Sequence, residues 1–243
     1  VLLEGVPGLA KTTMSKAFSD TLSLKFSRIQ GSSDLLPADI VGTHVFDPKT
    51  GSFKLAKGPI FSNIFFIDEI NRNTTKTNSA LIEAMQERQV TIEGETEQLP
   101  YPFMVMATKS PVEFHGVFPL PEVLVDRFMF SLRVGYPSVP EEIELIDRIY
   151  SIETSEVEQI TTVEQISYLV GLAKEIYVAP QIRTYVVDLV HRTREMESIS
   201  LGASPRVSMA LSKASRARAL IKGRPYVLPD DIKYLAPLVL HHR

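Results

Sequence analysis

The chain carries GVPGLAKT at residues 5–12, directly after the short apolar run that begins at Val1. A Gly-rich turn between a strand and a helix can aim several backbone N–H groups at one polyphosphate, and the helix adds the positive potential of its N-terminal end. In this pattern the Lys11 side chain reaches the β- and γ-phosphates, and the Thr12 hydroxyl holds Mg²⁺. The stretch predicts a phosphate-binding loop; a chance Gly/Pro turn before a helix is the alternative.

Ala10 is the position at which this stretch departs from the common phosphate-loop pattern, which has a second Gly beside the Lys. Because Ala lacks the freedom of Gly at positive φ, we expect the loop to hold Ala10 at negative φ. On that basis we expect the loop to tolerate the substitution.

Two carboxylates follow a buried strand further along the chain. Residues 64–67 read IFFI, apolar on both faces, and predict a central strand of a parallel sheet. Asp68 and Glu69 come next, at the end where ligands bind in open α/β sheets, and such acids are costly there unless a cation or substrate uses them. Asp68 would hold Mg²⁺ together with Thr12, and Glu69 would polarise the attacking water as general base. The alternative is a pair of solvated acids that begin a loop.

The order of elements predicts two domains, residues 1–140 and residues 141–243. In the first, strands alternate with helices, which predicts a parallel, three-layer α/β sheet. A helix is expected at 12–22 with Met14, Ala17, Phe18 and Leu22 facing inward, and hairpins at 43–55 and from residue 89. In the second, a connector at 151–162 precedes helices at 163–176, 182–195, 204–222 and 229–241. The chain starts within a buried strand, so we expect upstream residues, missing here, to help cover the nucleotide base.

Composition narrows the possible functions. The 243 residues have a net charge of −3 and a pI near 6.0, which gives no overall electrostatic reason to bind nucleic acid or an anionic membrane. Cysteine is absent, so disulfides and thiolate metal sites are excluded and a reducing compartment fits. No apolar run is long enough to span a bilayer. We therefore expect a cytoplasmic protein without membrane insertion.

A basic segment lies within the predicted helical domain. It lacks the interleaved aromatic residues that stack on nucleic-acid bases, which favours a solvated helix face. A nucleic-acid face is the alternative. The segment comprises Arg206, Lys213, Arg216, Arg218, Lys222 and Arg224.

Several longer stretches resemble one family. Besides GVPGLAKT they are DLLPADIVG (34–42), IDEINR (67–72), EAMQERQV (83–90), PLPE (119–122), DRF (126–128) and GASPR (202–206). Along essentially its whole length the chain is similar to the MoxR family of AAA+ ATPases. The resemblance implies a P-loop three-layer sandwich with a parallel five-stranded sheet in the order 5-1-4-3-2, followed by a small all-helical lid. It also implies that the two hairpins are insertions, one after the second strand and one before the fourth. Such proteins assemble into rings, usually hexameric, and the hairpins would project from the ring to contact a client protein.

The resemblance assigns roles to three further residues. Arg127 resembles the finger that reaches the neighbour's γ-phosphate, with a structural pair to Asp126 as the alternative. Arg206 resembles the sensor-2 arginine, with a solvated helix-terminal Arg as the alternative. Ser110, in KSP (109–111), stands where the family usually has the sensor-1 Asn of Gln-Asn-Pro. Its hydroxyl is shorter than an amide and lacks two-ended geometry, so we expect nucleotide binding to survive and turnover to slow.

The sequence thus predicts a Mg²⁺-dependent ATPase of MoxR type that remodels or matures client proteins, some with von Willebrand factor A domains. A nucleotide-regulated scaffold with little turnover and a nucleic-acid motor remain alternatives; Ser110 favours the former and the acidity opposes the latter. ATP would contact the residues of the loop and its helix start, namely Gly5, Val6, Pro7, Gly8, Leu9, Ala10, Lys11, Thr12 and Thr13.

Overall fold

The computed structural model of the chain describes residues 1–110, 119–150 and 157–243. Part of the connector predicted at 151–162, residues 151–156, lies outside the described residues. The strands are β1 (Leu2–Glu4), β2 (Phe26–Gln30), β3 (Gly42–Asp47), β4 (Ser52–Lys57), β5 (Ile64–Asp68), β6 (Gln89–Ile92), β7 (Glu95–Gln98), β8 (Met104–Lys109) and β9 (Ser131–Arg133). The α-helices are α1 (Lys11–Thr21), α2 (Pro37–Val41), α3 (Thr75–Glu87), α4 (Glu122–Val125), α5 (Val139–Asp147), α6 (Val163–Glu175), α7 (Pro180–Glu195), α8 (Pro205–Ile221) and α9 (Pro229–Leu240).

The central sheet is parallel and has the strand order β2-β5-β8-β1-β9. Counted along the chain, these are its second, third, fourth, first and fifth strands, so the predicted order 5-1-4-3-2 is confirmed. Because all five strands run the same way, their carboxyl ends meet at one edge of the sheet. The loop at 5–12 leaves β1 at this edge, and Asp68 ends β5 there.

Alternating side chains of the central strand fill the two faces of the sheet. Phe65 and Ile67 belong to one buried cluster, and Ile64 and Phe66 to another on the opposite face. All four are fully buried, and burying each such side chain stabilises the fold by about 1.5–3 kcal/mol. This double burial explains why the strand reads as a continuous apolar run.

Helix α1 buries a different face from the one that its sequence predicts. Met14 and Phe18 are 48% and 45% exposed. By contrast, Ser15 and Ser19 are fully buried, and Lys11 is also a buried residue of this helix. The expectation that Met14 and Phe18 face inward is therefore wrong. Lys11 begins the helix at the loop, so positions four and eight residues later share its inward face.

Two hairpins are inserted into this core, as predicted. Strands β3 and β4 pair between α2 and β5, and strands β6 and β7 pair between α3 and β8. Side chains join the two hairpins: the Thr43 hydroxyl donates to Glu93 at 3.1 Å, and Lys57 Nζ donates to Glu97 at 2.9 Å. Polar side-chain contacts therefore join the two hairpins into one unit beside the sheet.

The C-terminal part is all-helical, also as predicted, and its core lies among α7, α8 and α9. Val190, Val207 and Ile232 are fully buried there. The C-terminal residues of the chain contact the sheet domain, where His242 Nε2–H donates to the Phe128 carbonyl at 2.9 Å. The boundary at residue 140 stays a prediction. None of the helices in the described ranges is long and apolar enough to cross a membrane.

Candidate functional site

The loop after β1 turns sharply into α1 through two residues in the left-handed region. Gly8 has φ 87°, which Gly adopts readily, and Ala10 has φ 50° and ψ 23°. The expectation that Ala10 stays at negative φ is wrong. The turn requires the left-handed region at the residue that caps α1, where the Ala10 carbonyl accepts from the Met14 N–H at 2.9 Å. Such a conformation costs a non-Gly residue roughly 1–2 kcal/mol.

The Lys11 ammonium lies inside the loop. Its Nζ donates to the carbonyls of Gly5 at 3.0 Å and Val6 at 2.7 Å, and the residue is only 8% exposed. A buried ammonium needs such partners because burial without them is costly. The loop therefore holds a positive charge where the sequence predicts phosphate.

Asp68 is the centre of a hydrogen-bond network at the end of β5. Its Oδ2 accepts from the Thr12 hydroxyl at 3.1 Å and from Arg28 Nη2 at 2.8 Å, and its Oδ1 accepts from the Thr108 hydroxyl at 2.7 Å. Burial raises the pKa of Asp68, but the hydrogen bonds from Thr108, Arg28 and Thr12 outweigh it and lower the pKa below its ordinary value. Asp68 is thus held as a carboxylate.

Glu69 adopts an unusual backbone conformation next to Asp68. Its φ and ψ are both 53°, and its N–H donates to the Thr108 hydroxyl at 2.7 Å. Its carboxylate accepts from Gln30 Nε2 at 3.1 Å and lies 3.2 Å from Arg72 Nη1. Left-handed non-Gly residues are concentrated at functional sites, where the surrounding contacts impose them.

A cavity of about 140 Å³ brings most of the predicted site residues together. Thr13, which is exposed, does not line it, and neither do Val6 and Ala10, although the Val6 carbonyl binds Lys11. The lining residues are Gly5, Pro7, Gly8, Leu9, Lys11, Thr12, Gln30, Asp68, Glu69, Thr108 and Ser110.

The polar atoms of this cavity fit a magnesium ion that is shared with phosphate oxygens. Thr12 Oγ1 and Asp68 Oδ2 are hard oxygen ligands 3.1 Å apart, and Mg²⁺ typically takes one or two protein oxygens besides water and phosphate. Within residues 1–110, 119–150 and 157–243, no group of three or more His, Cys, Asp or Glu residues could hold a metal ion. The donor set therefore suits a nucleotide-bound cation better than a cage made by the protein alone.

Ser110 lies at the wall of the cavity. Among the described residues its buried Oγ has no hydrogen-bond partner, and its carbonyl accepts a long bond of 3.5 Å from Asn71 Nδ2. A buried polar atom without a partner is uncommon in folded proteins and is explained when a ligand supplies one. Pro111, the last residue of the KSP stretch, lies outside the described residues.

Arg127 and Arg206 lie away from this cavity. Arg127 donates to the Val123 carbonyl at 2.6 Å and to the Gln86 side chain. Asp126, the partner that the structural alternative assigns to Arg127, instead pairs with Arg206 at 3.5 Å. Neither arginine lines the cavity of its own chain.

Comparison with known proteins agrees with this geometry. Residues 1–130 match the family model described as "ATPase family associated with various cellular activities (AAA)", and residues 191–243 match that of an AAA lid domain. Chaperone MoxR1 of Mycobacterium tuberculosis is 43% identical over 252 residues, which cover 100% of this chain and 67% of that protein. The chain belongs to the MoxR family of AAA+ ATPases.

Two further proteins are similar to the chain over its full length. The uncharacterised protein YeaC of Bacillus subtilis is 47% identical over 246 residues, which cover 100% of this MoxR-family chain and 76% of YeaC. A solved structure from Cytophaga hutchinsonii, named as a candidate ATPase, matches with a TM-score of 0.90 and 39% sequence identity. The match covers 100% of this chain and 76% of that chain. The predicted family and fold class are confirmed.

Sequence reasoning missed three polar residues of this MoxR-family site, Thr108, Arg28 and Gln30. Thr108 lies on β8 and the other two on β2, the strands that flank β5, and Gln30 is in register with Asp68. The implied strand order was the available signal. Once β2 and β8 are placed beside β5, the polar residues near their carboxyl ends become candidates.

Proposed function

We propose that this MoxR-family protein is a Mg²⁺-dependent ATPase that remodels or matures partner proteins. The observation that carries the proposal is one cavity in which the Lys11 ammonium, the Thr12–Asp68 oxygen pair and the Glu69 carboxylate converge. A charged loop, a cation site and a general base are the parts that phosphoanhydride hydrolysis needs.

In this proposal each residue has one task. Lys11 leaves the loop carbonyls to bind the β- and γ-phosphates, and Thr12 and Asp68 hold the cation. When bound, Mg²⁺ neutralises charge on the phosphates. Glu69 accepts a hydrogen bond from the attacking water, and the unpartnered Ser110 hydroxyl donates to that water or to the γ-phosphate.

Hydrolysis would be shared between subunits of a ring, which we propose to be hexameric. Arg127 lies away from the cavity of its own chain, which supports its action as a finger in the neighbouring site. Arg206 would sense nucleotide through the lid to which it belongs. A homo-oligomer is therefore the working form.

A protein client is the proposed target of the ATP-driven motion. MoxR1, a relative over the full length of this chain, is named a chaperone, and the family resemblance suggests clients with von Willebrand factor A domains. The hairpin β3–β4 offers a surface for such a client, because Phe53 is 69% exposed and its ring lies 5.5 Å from that of Phe46.

The substitution Glu69→Gln tests the proposal. It keeps the side-chain size and removes the base, so ATP should bind with Mg²⁺ but phosphate release should fall about 100-fold or more. Binding of a fluorescent ATP analogue and phosphate release are measured on the same sample. Glu175→Gln, an exposed position on α6, is the matched control. Full hydrolysis by Glu69→Gln would refute the assignment of the base.

A nucleotide-regulated scaffold with little turnover is the second candidate. The observation in its favour is Ser110, whose buried hydroxyl stands where the family usually has an amide. Phosphate release at ring-forming protein concentration separates the two candidates: a scaffold binds ATP and assembles without turnover. Ser110→Asn should raise the rate if this position limits hydrolysis.

A further inference from the structure

An apolar groove of about 1090 Å³ lies outside the nucleotide cavity, lined mostly by the lid and also by Arg88, Met129 and Phe130 of the sheet domain. Helices α7, α8 and α9 supply most of its lining, in which Ile182 and Leu235 are buried and Val187 and Met209 are exposed. Met209 is 55% exposed, and Ile221 at the groove's edge is 82% exposed. Contiguous exposed apolar surface of this kind marks an interaction site.

The rim of the groove is basic. The described residues that line it include no Asp or Glu, whereas Lys174, Arg183, Lys213 and Lys222 stand at its edge. Within the part of the chain that the structure describes, these four cations have no ion pair. Lys213 and Lys222 belong to the basic segment that the sequence shows. Together the four cations favour a partner that has an apolar face flanked by acidic residues.

Helix α5 has that character. None of its residues is buried, and Val139, Ile143 and Ile146 form one exposed apolar face at helical spacing. Glu142 and Asp147 flank this face. A helix of nine residues is marginal in water by itself, so its apolar face needs a partner.

The chain holds α5 with this face turned outward. Before the helix, β9 is paired with β1. After it, the Ile160 N–H donates to the Thr21 carbonyl at 3.0 Å, and the Ser23 hydroxyl donates to the Thr161 carbonyl at 2.7 Å. The chain on both sides of α5 is therefore fixed to the ATPase core. The α5 helix of one copy can reach the groove of another copy while these bonds stay intact.

We propose that α5 of a second copy docks in the lid groove. Its apolar face covers the groove floor, and Glu142 and Asp147 meet the basic rim, including Lys213. The helix and the groove lie on different parts of one chain, so the contact joins unlike surfaces and repeats from subunit to subunit. The inference concerns assembly alone and does not depend on nucleotide hydrolysis.

Crosslinking between separately tagged chains tests the contact. The natural chain has no cysteine, so Ile146→Cys and Met209→Cys each introduce one thiol. The two single variants are mixed without nucleotide and treated with a short bis-maleimide. The expected product contains one chain of each tag, at least tenfold more abundant than in a control mixture of Ile146→Cys with the exposed hairpin variant Phe53→Cys.

Two outcomes overturn the proposal. One is no mixed product although both thiols react fully with a small maleimide. The other is a double variant, Ile146→Cys with Met209→Cys, that crosslinks within one chain while the mixture of single variants does not. The latter result would place α5 in the groove of its own lid.

A charge exchange provides an independent readout in case the thiols alter the helix. Lys213→Glu and Asp147→Lys should each weaken self-association about tenfold in sedimentation velocity, and the double variant should restore it. Glu175→Lys, on exposed α6 surface, is the matched control. Absence of rescue in folded variants, checked by circular dichroism, counts against the pairing. ATP binding by each variant shows separately whether the nucleotide site is intact.

Discussion

The Arg206 guanidinium lies 3.5 Å from the Asp126 carboxylate, and this pair joins the lid to the ATPase core. The Ser204 hydroxyl contacts both Asp126 oxygens at 3.0 Å, so the start of α8 is fixed to the same carboxylate. Asp126 directly precedes Arg127. The residue that resembles sensor 2 and the residue that resembles the finger are therefore connected within one subunit, and a lid movement can shift Arg127.

Asp126→Asn is expected to uncouple these two arginines. The amide keeps the size of the side chain but cannot pair with Arg206 or with Arg243, whose Nε lies 3.4 Å away. We expect the free energy of unfolding to fall by about 1–2 kcal/mol. Because small displacements of catalytic groups are costly, the ATPase rate of the proposed ring should fall about tenfold or more, with ATP affinity unchanged.

Urea unfolding and steady-state kinetics measure the two effects. Asp230→Asn is the matched control, because the pair that Asp230 forms with Lys233 at 3.5 Å is exposed to solvent. An Asp126→Asn protein that is destabilised but hydrolyses ATP at the full rate in the ring would show that the pair is structural only.

Thr108→Val is expected to weaken the proposed cation site without changing its shape. The Thr108 hydroxyl donates to Asp68 and accepts from the Glu69 N–H, so valine leaves both groups short of a partner. Loss of a residue that orients a metal ligand typically costs 10- to 100-fold, and we expect about that loss in Mg²⁺-dependent ATP affinity. Titration of Mg²⁺ against fluorescent ATP measures it. Thr184→Val, exposed on α7, should change nothing.

His242 is expected to make stability fall in acid. Burial lowers the pKa of His242 from 6.5 to about 4, against the opposing hydrogen bond to the Phe128 carbonyl. The unfolded chain binds this proton near its ordinary pKa and the folded chain only near the lowered one, so stability is lost as pH falls between them. His242→Gln keeps a donor for Phe128 and does not titrate.

We expect the natural protein to lose about 2–3 kcal/mol more than His242→Gln between about pH 7 and pH 4. Urea unfolding at several pH values measures the difference. His191→Gln, at an exposed position on α7, should follow the natural protein. If the free energy of unfolding changed with pH in the same way for the natural protein and for His242→Gln, the assignment of this proton uptake to His242 would be contradicted.

Local patterns made most of this fold predictable. The loop, the apolar strand β5, the hairpin turns and the lid helices each depend on neighbouring residues in the sequence, and all lie close to their predicted positions. The buried face of α1 was not predictable from periodicity, because the position of Lys11 in the loop fixes the rotation of the helix. Thr108 and Gln30 were missed since their role arises only when β2 and β8 flank β5.

Ala10→Gly is expected to stabilise the protein, because Gly adopts the observed φ of 50° without strain. The relief of roughly 1–2 kcal/mol exceeds the added chain entropy of Gly, about 0.5–1 kcal/mol, so a net gain of about 0.5–1 kcal/mol follows. Urea unfolding measures it, with Ala17→Gly in the interior of α1 as the control that should lose about 1 kcal/mol. Ala10→Val should be destabilised, since β-branched residues resist positive φ. A loss of stability in Ala10→Gly would mean that the Ala10 methyl group packs favourably, and that the surroundings of the loop, rather than its φ, select alanine.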